Sequence, residues 1–194
     1  MTCADQIHAR TTASAIARLA AGLVSVGLLF AAVKVAADGP VSASEQVAAR
    51  STDRLVERGR YLVQIGGCND CHTAGYPQSS GQLPVSEWLT GSQVGFRGAW
   101  GTSYPSNLRV TVSTLTEAQW LEFARVERLP PMPWFNLRDM SDADLKAIYH
   151  FIRALGPKGE RAPAAVAPGS TVATPFIVFE PRSDELVSGV TAAR

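Results

Sequence analysis

Two cysteines and a histidine stand close together in the run Cys68-Asn69-Asp70-Cys71-His72. Two thiols three positions apart on one helical turn can add to the two vinyl groups on one edge of a porphyrin. The adjacent imidazole is then held under the iron as an axial ligand. The pattern C-x-x-C-H is the attachment signature of c-type haem. The expected cofactor is therefore one covalently bound haem c, with Cys68 and Cys71 as anchors and His72 as a metal ligand.

Two other readings of the pentapeptide run out of residues or context. A structural zinc site takes four Cys or His ligands, and the chain has three cysteines, of which Cys3 lies far upstream in what reads as a removable leader. A thioredoxin-like redox pair would follow a strand in a βαβ setting, whereas the stretch before Cys68, from Asp53 to Ile65, has a helical pattern.

Iron with one histidine needs a sixth partner or an open site, and that choice separates electron transfer from reactivity. After His72 the candidates are Met132, Met140 and His150. Met140 directly precedes Ser141, a helix cap, so it suits a hydrophobic staple against Leu145. His150 flanks the apolar face of the last helix next to Tyr149 and reads as a satisfied or surface histidine. Met132 lies in Pro130-Pro131-Met132-Pro133-Trp134, where prolines exclude helix and stiffen the backbone. A thioether on such a loop is presented with little loss of chain entropy. Met132 is the expected second metal ligand.

The elements that must position these residues follow from periodicity and caps. A polar linker is expected over 38–51, then a first helix from Thr52 or Asp53 with Leu55, Val56, Leu62 and Val63 on its apolar face. Gly59 in that helix costs about 1 kcal/mol of helix propensity against Ala, which suggests a close crossing by another helix. From Thr73 to Val110, Gly, Pro and Ser are spread throughout, and a loop wrapped on a cofactor is expected. Thr116-Glu117-Ala118-Gln119 fits a capping box for a helix to about Glu127. Ser141 caps a last helix with Leu145, Ile148, Tyr149, Ile152 and Leu155 at helical spacing, stopped by Gly156-Pro157. Lys158 to Arg194 is rich in Pro, Ala and small residues. Within it Pro175 to Glu180 suits a strand or strap across the domain surface, or the whole segment is a disordered tail.

Composition limits the class. The chain has 194 residues, is 46% hydrophobic and carries a formal charge of +1, enough for a core and unlike a nucleic-acid binder. No phosphate-binding Gly loop or Ser-His-Asp arrangement is present. Arg10 and Arg18 precede an apolar run of 15 residues from Leu19 to Val33, followed by small residues suited to cleavage. That is shorter than the about 20 residues of a spanning helix, so residues 1–37 read as a secretory signal, with an uncleaved membrane anchor as the alternative. The expected location is the periplasm, with membrane contact only if the segment stays uncleaved. The expected organisation is leader 1–37, linker 38–51, haem domain 52–157 and C-terminal extension 158–194.

The stretch from about Thr52 to Pro157 resembles a class I c-type cytochrome. The matching residues are Gly59-Arg60-Tyr61-Leu62, the Cys68 to His72 signature, the Met132-Pro133 loop and the helix Asp144 to Leu155, in that order. The resemblance implies an all-α cytochrome c fold, a few helices and long loops around one haem, in which the first and last helices cross where Gly59 would meet Tyr149. Trp100 to Leu108 looks like a loop found in cytochrome subunits of periplasmic dehydrogenases, with Arg109 where a Thr is usual. The family also implies a backbone carbonyl that orients the proximal imidazole, for which Pro84 is suitably placed, with Pro77 nearby. Trp100, Tyr104, Asn107 and Arg97 are candidate donors to the haem propionates or simply loop packing.

The implied function is single-electron transfer through a His/Met-ligated haem, without catalysis of its own. The redox partners would be a dehydrogenase, an oxidase or another cytochrome. The alternatives are a haem-based catalyst or gas sensor with an open distal site, and a non-catalytic subunit of a dehydrogenase complex.

Overall fold

The computed structural model describes residues 42–181. The leader read in residues 1–37 and the chain end from 182 lie outside the described residues. The chain divides into two units, Met1–Ser42 and Ala43–Arg194, and every element of the described part belongs to the second.

The first helix, α1 (Ala43–Ile65), begins at Ala43 and not at Thr52, so the linker expected over 38–51 is helical over most of its length. Ala, Glu, Gln and Arg in that segment are good helix formers. Glu45 sits in the first turn, where a negative charge suits the helix dipole. Residues 43–54 are all exposed. With no face to bury they leave no apolar period to read.

Burial starts at Gly59, Leu62 and Val63. Here α1 crosses the last helix, α6 (Asp142–Leu155). A Cβ on Gly59 would lie 2.0 Å from the Ala147 carbonyl oxygen and 2.7 Å from the Phe151 Cβ. The crossing expected at Gly59 is real, but its partners are Ala147 and Phe151 in place of Tyr149. The Tyr149 hydroxyl instead donates to the Leu115 carbonyl at 3.0 Å. Ser141 caps α6 through the Asp144 amide, and Gly156 (φ 69°) ends it.

Between the crossing helices come the single turn α2 (Cys68–His72), a 3-10 turn at Val85–Glu87, and the short helices α3 (Leu108–Ser113), α4 (Glu117–Ala124) and α5 (Trp134–Asp139). The capping box of α4 forms in both directions between Thr116 and Gln119. Trp120 of α4 donates its indole N–H to the Leu145 carbonyl at 2.8 Å, tying α4 to α6. Leu145, Ile148, Phe151 and Ile152 complete a core with Leu62, Val63, Val112 and Trp120.

The expected all-α class needs correction, because a three-stranded sheet is present. β1 (Gly95–Gly98) and β2 (Gly101–Ser103) form an antiparallel pair, and β3 (Phe176–Val178) adds to β1 in parallel, giving the order β2-β1-β3. Strands of three or four residues carry too little alternation to be recognised. The third strand joins only where Gly95 meets Phe176 across a long stretch of chain. The Pro175 to Glu180 segment thus takes its strand form. Among the described residues no helix is long and apolar enough to cross a membrane.

Candidate cofactor cavity

The turn α2 is bounded locally. Gly67 enters it with φ 68° and Thr73 leaves it extended. The Thr73 hydroxyl donates to Asn69 Oδ1 at 2.7 Å and accepts the Leu89 amide at 2.8 Å, which fastens the turn to the following loop. The turn brings Cys68, Cys71 and His72 to the lining of one cavity of about 340 Å³. Met132 lines the same cavity, together with Val63, Leu108, Trp120, Phe123, Leu137 and Ile148. A largely apolar lining and a volume of a few hundred Å³ are typical of small-molecule and cofactor sites.

Met132 is held there by its own loop. Its amide donates to the Leu129 carbonyl at 3.3 Å and its carbonyl accepts from the Trp134 amide at 2.9 Å. Ser103 of β2 donates to the Pro130 carbonyl at 2.6 Å, tying the loop to the sheet. Met140 packs against the helical core and is absent from the cavity lining. The third candidate, His150, has its Nε2 2.9 Å from a Glu117 carboxylate oxygen and also lies outside the lining.

His72 is buried, at 7% exposure. Its Nδ1 lies 2.7 Å from the Ser106 carbonyl oxygen. A carbonyl only accepts, so Nδ1 carries the proton and Nε2 keeps its lone pair. Burial pushes the imidazole pKa down, and the bond to Ser106 offsets part of that. A neutral imidazole with a fixed tautomer is the form that ligates a metal.

The orienting carbonyl is therefore that of Ser106, and the expectation for Pro84 is corrected. The Pro84 carbonyl accepts the Glu87 amide at 2.8 Å, closing the 3-10 turn. Gly91 makes the Ser106 geometry possible. It has φ 81°, its amide donates to the His72 carbonyl at 2.7 Å, and a Cβ there would lie 2.8 Å from the Asn107 nitrogen. Only a residue without a side chain lets the backbone lie between His72 and the 105–107 segment.

Both thiols are less acidic than ordinary cysteines. Burial pushes Cys68 up to about 11 and raises Cys71, and the Asp70 charge adds to both. A reactive redox pair needs the opposite shift. Among the described residues no group of three or more His, Cys, Asp or Glu is arranged to hold a metal ion.

The expected propionate donors separate. Tyr104 lines the cavity, and its hydroxyl is 2.5 Å from Thr174 Oγ1. Trp100 lies outside the lining. Its ring packs on Phe179, and its Nε1 is buried without a hydrogen-bond partner. Asn107 also lies outside the lining: its Oδ1 caps α3 through Val110, and its Nδ2 donates to the Lys158 and Glu160 carbonyls at 2.7 and 2.9 Å. With both ends so engaged Asn107 holds the chain beyond α6 in place, which corrects its reading as a cofactor contact. Arg97 bonds Thr102 and Ser170 and covers the Phe176 ring at 3.8 Å, so it packs the C-terminal strand.

Ser106 and Arg128 are among the cavity residues that the sequence did not single out. Ser106 acts through a backbone atom that its side chain does not advertise. Among the described residues Arg128 is the one in the lining with a permanently charged side chain. Just past the end of a helix a cation is ordinary, so nothing in the sequence marked it out.

No family model matches the chain, and no solved structure matches it. The chain is 27% identical over 121 residues to the gluconate 2-dehydrogenase cytochrome c subunit of Pantoea cypripedii, covering 56% of this chain and 25% of that protein. It is also 27% identical over 124 residues to one of the subunits of nicotinate dehydrogenase from Pseudomonas putida, covering 57% of this chain and 9% of that protein. The matched stretch thus spans a quarter or less of these curated relatives. The chain is distantly similar to dehydrogenase subunits, one of them a cytochrome c subunit.

Proposed function

We propose that this chain is an electron-transfer protein with one covalently attached haem c, acting as the cytochrome c component of a dehydrogenase complex outside the cytoplasm. The observation that carries the reading is convergence: Cys68, Cys71 and His72 share one apolar cavity with Met132, which lies far along the chain. The donor set suits the group, with two thiols, an imidazole of fixed tautomer and a soft thioether in a single lining. Tyr104 lines the cavity and is a donor available to a cofactor carboxylate when Thr174 supplies the proton of their shared bond.

Bound in this cavity, haem supplies reversible one-electron chemistry at its iron. Cys68 and Cys71 fix it covalently. His72 donates through Nδ1 to Ser106 and offers Nε2 to the iron, the carbonyl adding to the basicity of the ring. Met132 offers a thioether, which favours the ferrous state and raises the potential. Val63, Leu108, Trp120, Phe123, Leu137 and Ile148 give the cavity an apolar wall, beside which a charge would be felt more strongly than in water. The protein then has no substrate of its own. It takes single electrons from a dehydrogenase and passes them to an oxidase or another cytochrome. The similarity to dehydrogenase subunits supports the donor side, and the leader read in residues 1–37 supports the location, where covalent haem attachment is normally completed.

The test is the spectrum of the oxidised, matured protein, followed by carbon monoxide addition to the reduced form. A weak far-red charge-transfer band of an iron to Met-sulfur bond, with no carbon monoxide binding, is expected. Absence of the band with ready binding would mean an open site, and a catalyst or sensor reading would replace this one.

A further inference from the structure

Among the described residues the cavity lining contains one permanent charge, the guanidinium of Arg128, and no acidic side chain. Among the described residues Arg128 forms no ion pair. Its partners are the Phe123 carbonyl, which accepts from Nη2 at 2.8 Å, and the Phe123 ring, whose centroid lies 4.3 Å from the guanidinium carbon. A guanidinium has five N–H donors, so one backbone bond and one ring face leave the charge largely uncompensated. Burial also disfavours the charged form, with no carboxylate to offset it. Arg128 is half-buried, so water meets part of the charge and the rest faces an apolar wall, where an anionic occupant would benefit from it.

Resting on the reading above, we propose that Arg128 is the residue by which this protein sets its reduction potential, a fixed positive charge at the cavity wall that favours the reduced state. The balance is simple. Reduction adds one electron to the occupant and no proton, so the cavity contents become more negative by one charge. The guanidinium keeps its proton in both states, and its attraction for the reduced state is the larger. With no counter-charge among the described lining residues, the protein does not offset that difference. Arg128 precedes Met132 by one short loop but does not ligate, so it acts through its field.

The experiment compares Arg128→Met, Arg128→Gln and Arg128→Lys with the parent in the full, haem-loaded chain, reading the midpoint potential by spectroelectrochemical titration. The far-red Met-sulfur band and the melting temperature are recorded alongside. The expected result is a lowered potential in Arg128→Met and Arg128→Gln with the band retained, and recovery of most of the shift in Arg128→Lys, which keeps the charge and loses the planar fork. An unchanged potential in Arg128→Gln, with only the melting temperature lowered, would make Arg128 a structural tie to Phe123 and overturn the proposal. So would a fall that appears only when the band is lost, since the effect would then run through Met132. A chain that takes up no haem or gives no reversible titration would overturn the functional reading itself, an outcome distinct from these.

Discussion

The His72 ring is oriented by a backbone atom 34 residues away, its Nδ1 standing 2.7 Å from the Ser106 carbonyl. The contact exists because Gly91 is threaded between the two segments, its amide on the His72 carbonyl and its side-chain-free face against Asn107. The imidazole, the glycine and the cap of α3 therefore form one unit. A change in any of them reaches the proposed proximal ligand.

Gly91→Ala is expected to show this coupling. A methyl group 2.8 Å from the Asn107 nitrogen, at a φ of 81°, costs about 1–3 kcal/mol and displaces the Ser106 carbonyl. Proton NMR of the reduced protein should then show faster exchange of the His72 Nδ1 proton. Ser106→Ala, which leaves the carbonyl in place, should not. Equal exchange in Gly91→Ala and the parent would sink the link.

The crossing of α1 and α6 gives a sharper test of packing. Any side chain at Gly59 meets the Ala147 backbone, not a movable side-chain tip, so Gly59→Ala should lower stability by about 1–3 kcal/mol despite its better helix propensity. Chemical denaturation measures the loss. A stabilised variant would show that the helices separate there at no cost.

Arg109 stands where a Thr is usual in the resembling loops, and the structure gives it work. Its guanidinium donates to the Gly156 and Leu155 carbonyls at the end of α6 and to the Ser86 carbonyl at 2.7 Å. It thus closes the C-terminus of α6 and holds the 3-10 turn against it. Arg109→Met should cost about 1–3 kcal/mol by removing the donor to the part-buried Leu155 and Gly156 carbonyls, measured by thermal melting. Arg109→Lys should recover little, because one ammonium cannot reproduce the fork.

What could be read from the sequence was local. Cys68, Cys71 and His72 form a contiguous signature, and the caps at Thr116, Ser141 and Gly156 act within one turn of themselves. That Met132 sits on a non-helical stretch was legible from its flanking prolines. The sheet was not, because β1 pairs with a strand that arrives after the last helix. The Ser106 carbonyl and the Ala147 contact of Gly59 were not legible either, since a backbone oxygen has no sequence identity. Asn107 was misread for a related reason. Its amide suits a cofactor carboxylate chemically, but the chain beyond α6 supplies two carbonyls first.

The two methionines of the loop region give the most direct separation of ligand from packing. Met132 lines the cavity and Met140 does not, yet both lie within one short stretch and both are half-buried. Met132→Ala should keep haem attached through Cys68 and Cys71, lose the far-red band, and bind carbon monoxide when reduced. Met140→Ala should keep the band and the closed site. It should lose less stability than the about 2–5 kcal/mol of a fully buried methionine, because Met140 is only partly enclosed by the core. The reverse pattern, with the band lost in Met140→Ala and kept in Met132→Ala, would exchange their roles. That outcome would require the α5–α6 junction to open, because Met140 is the residue before the Ser141 cap and packs against the core there.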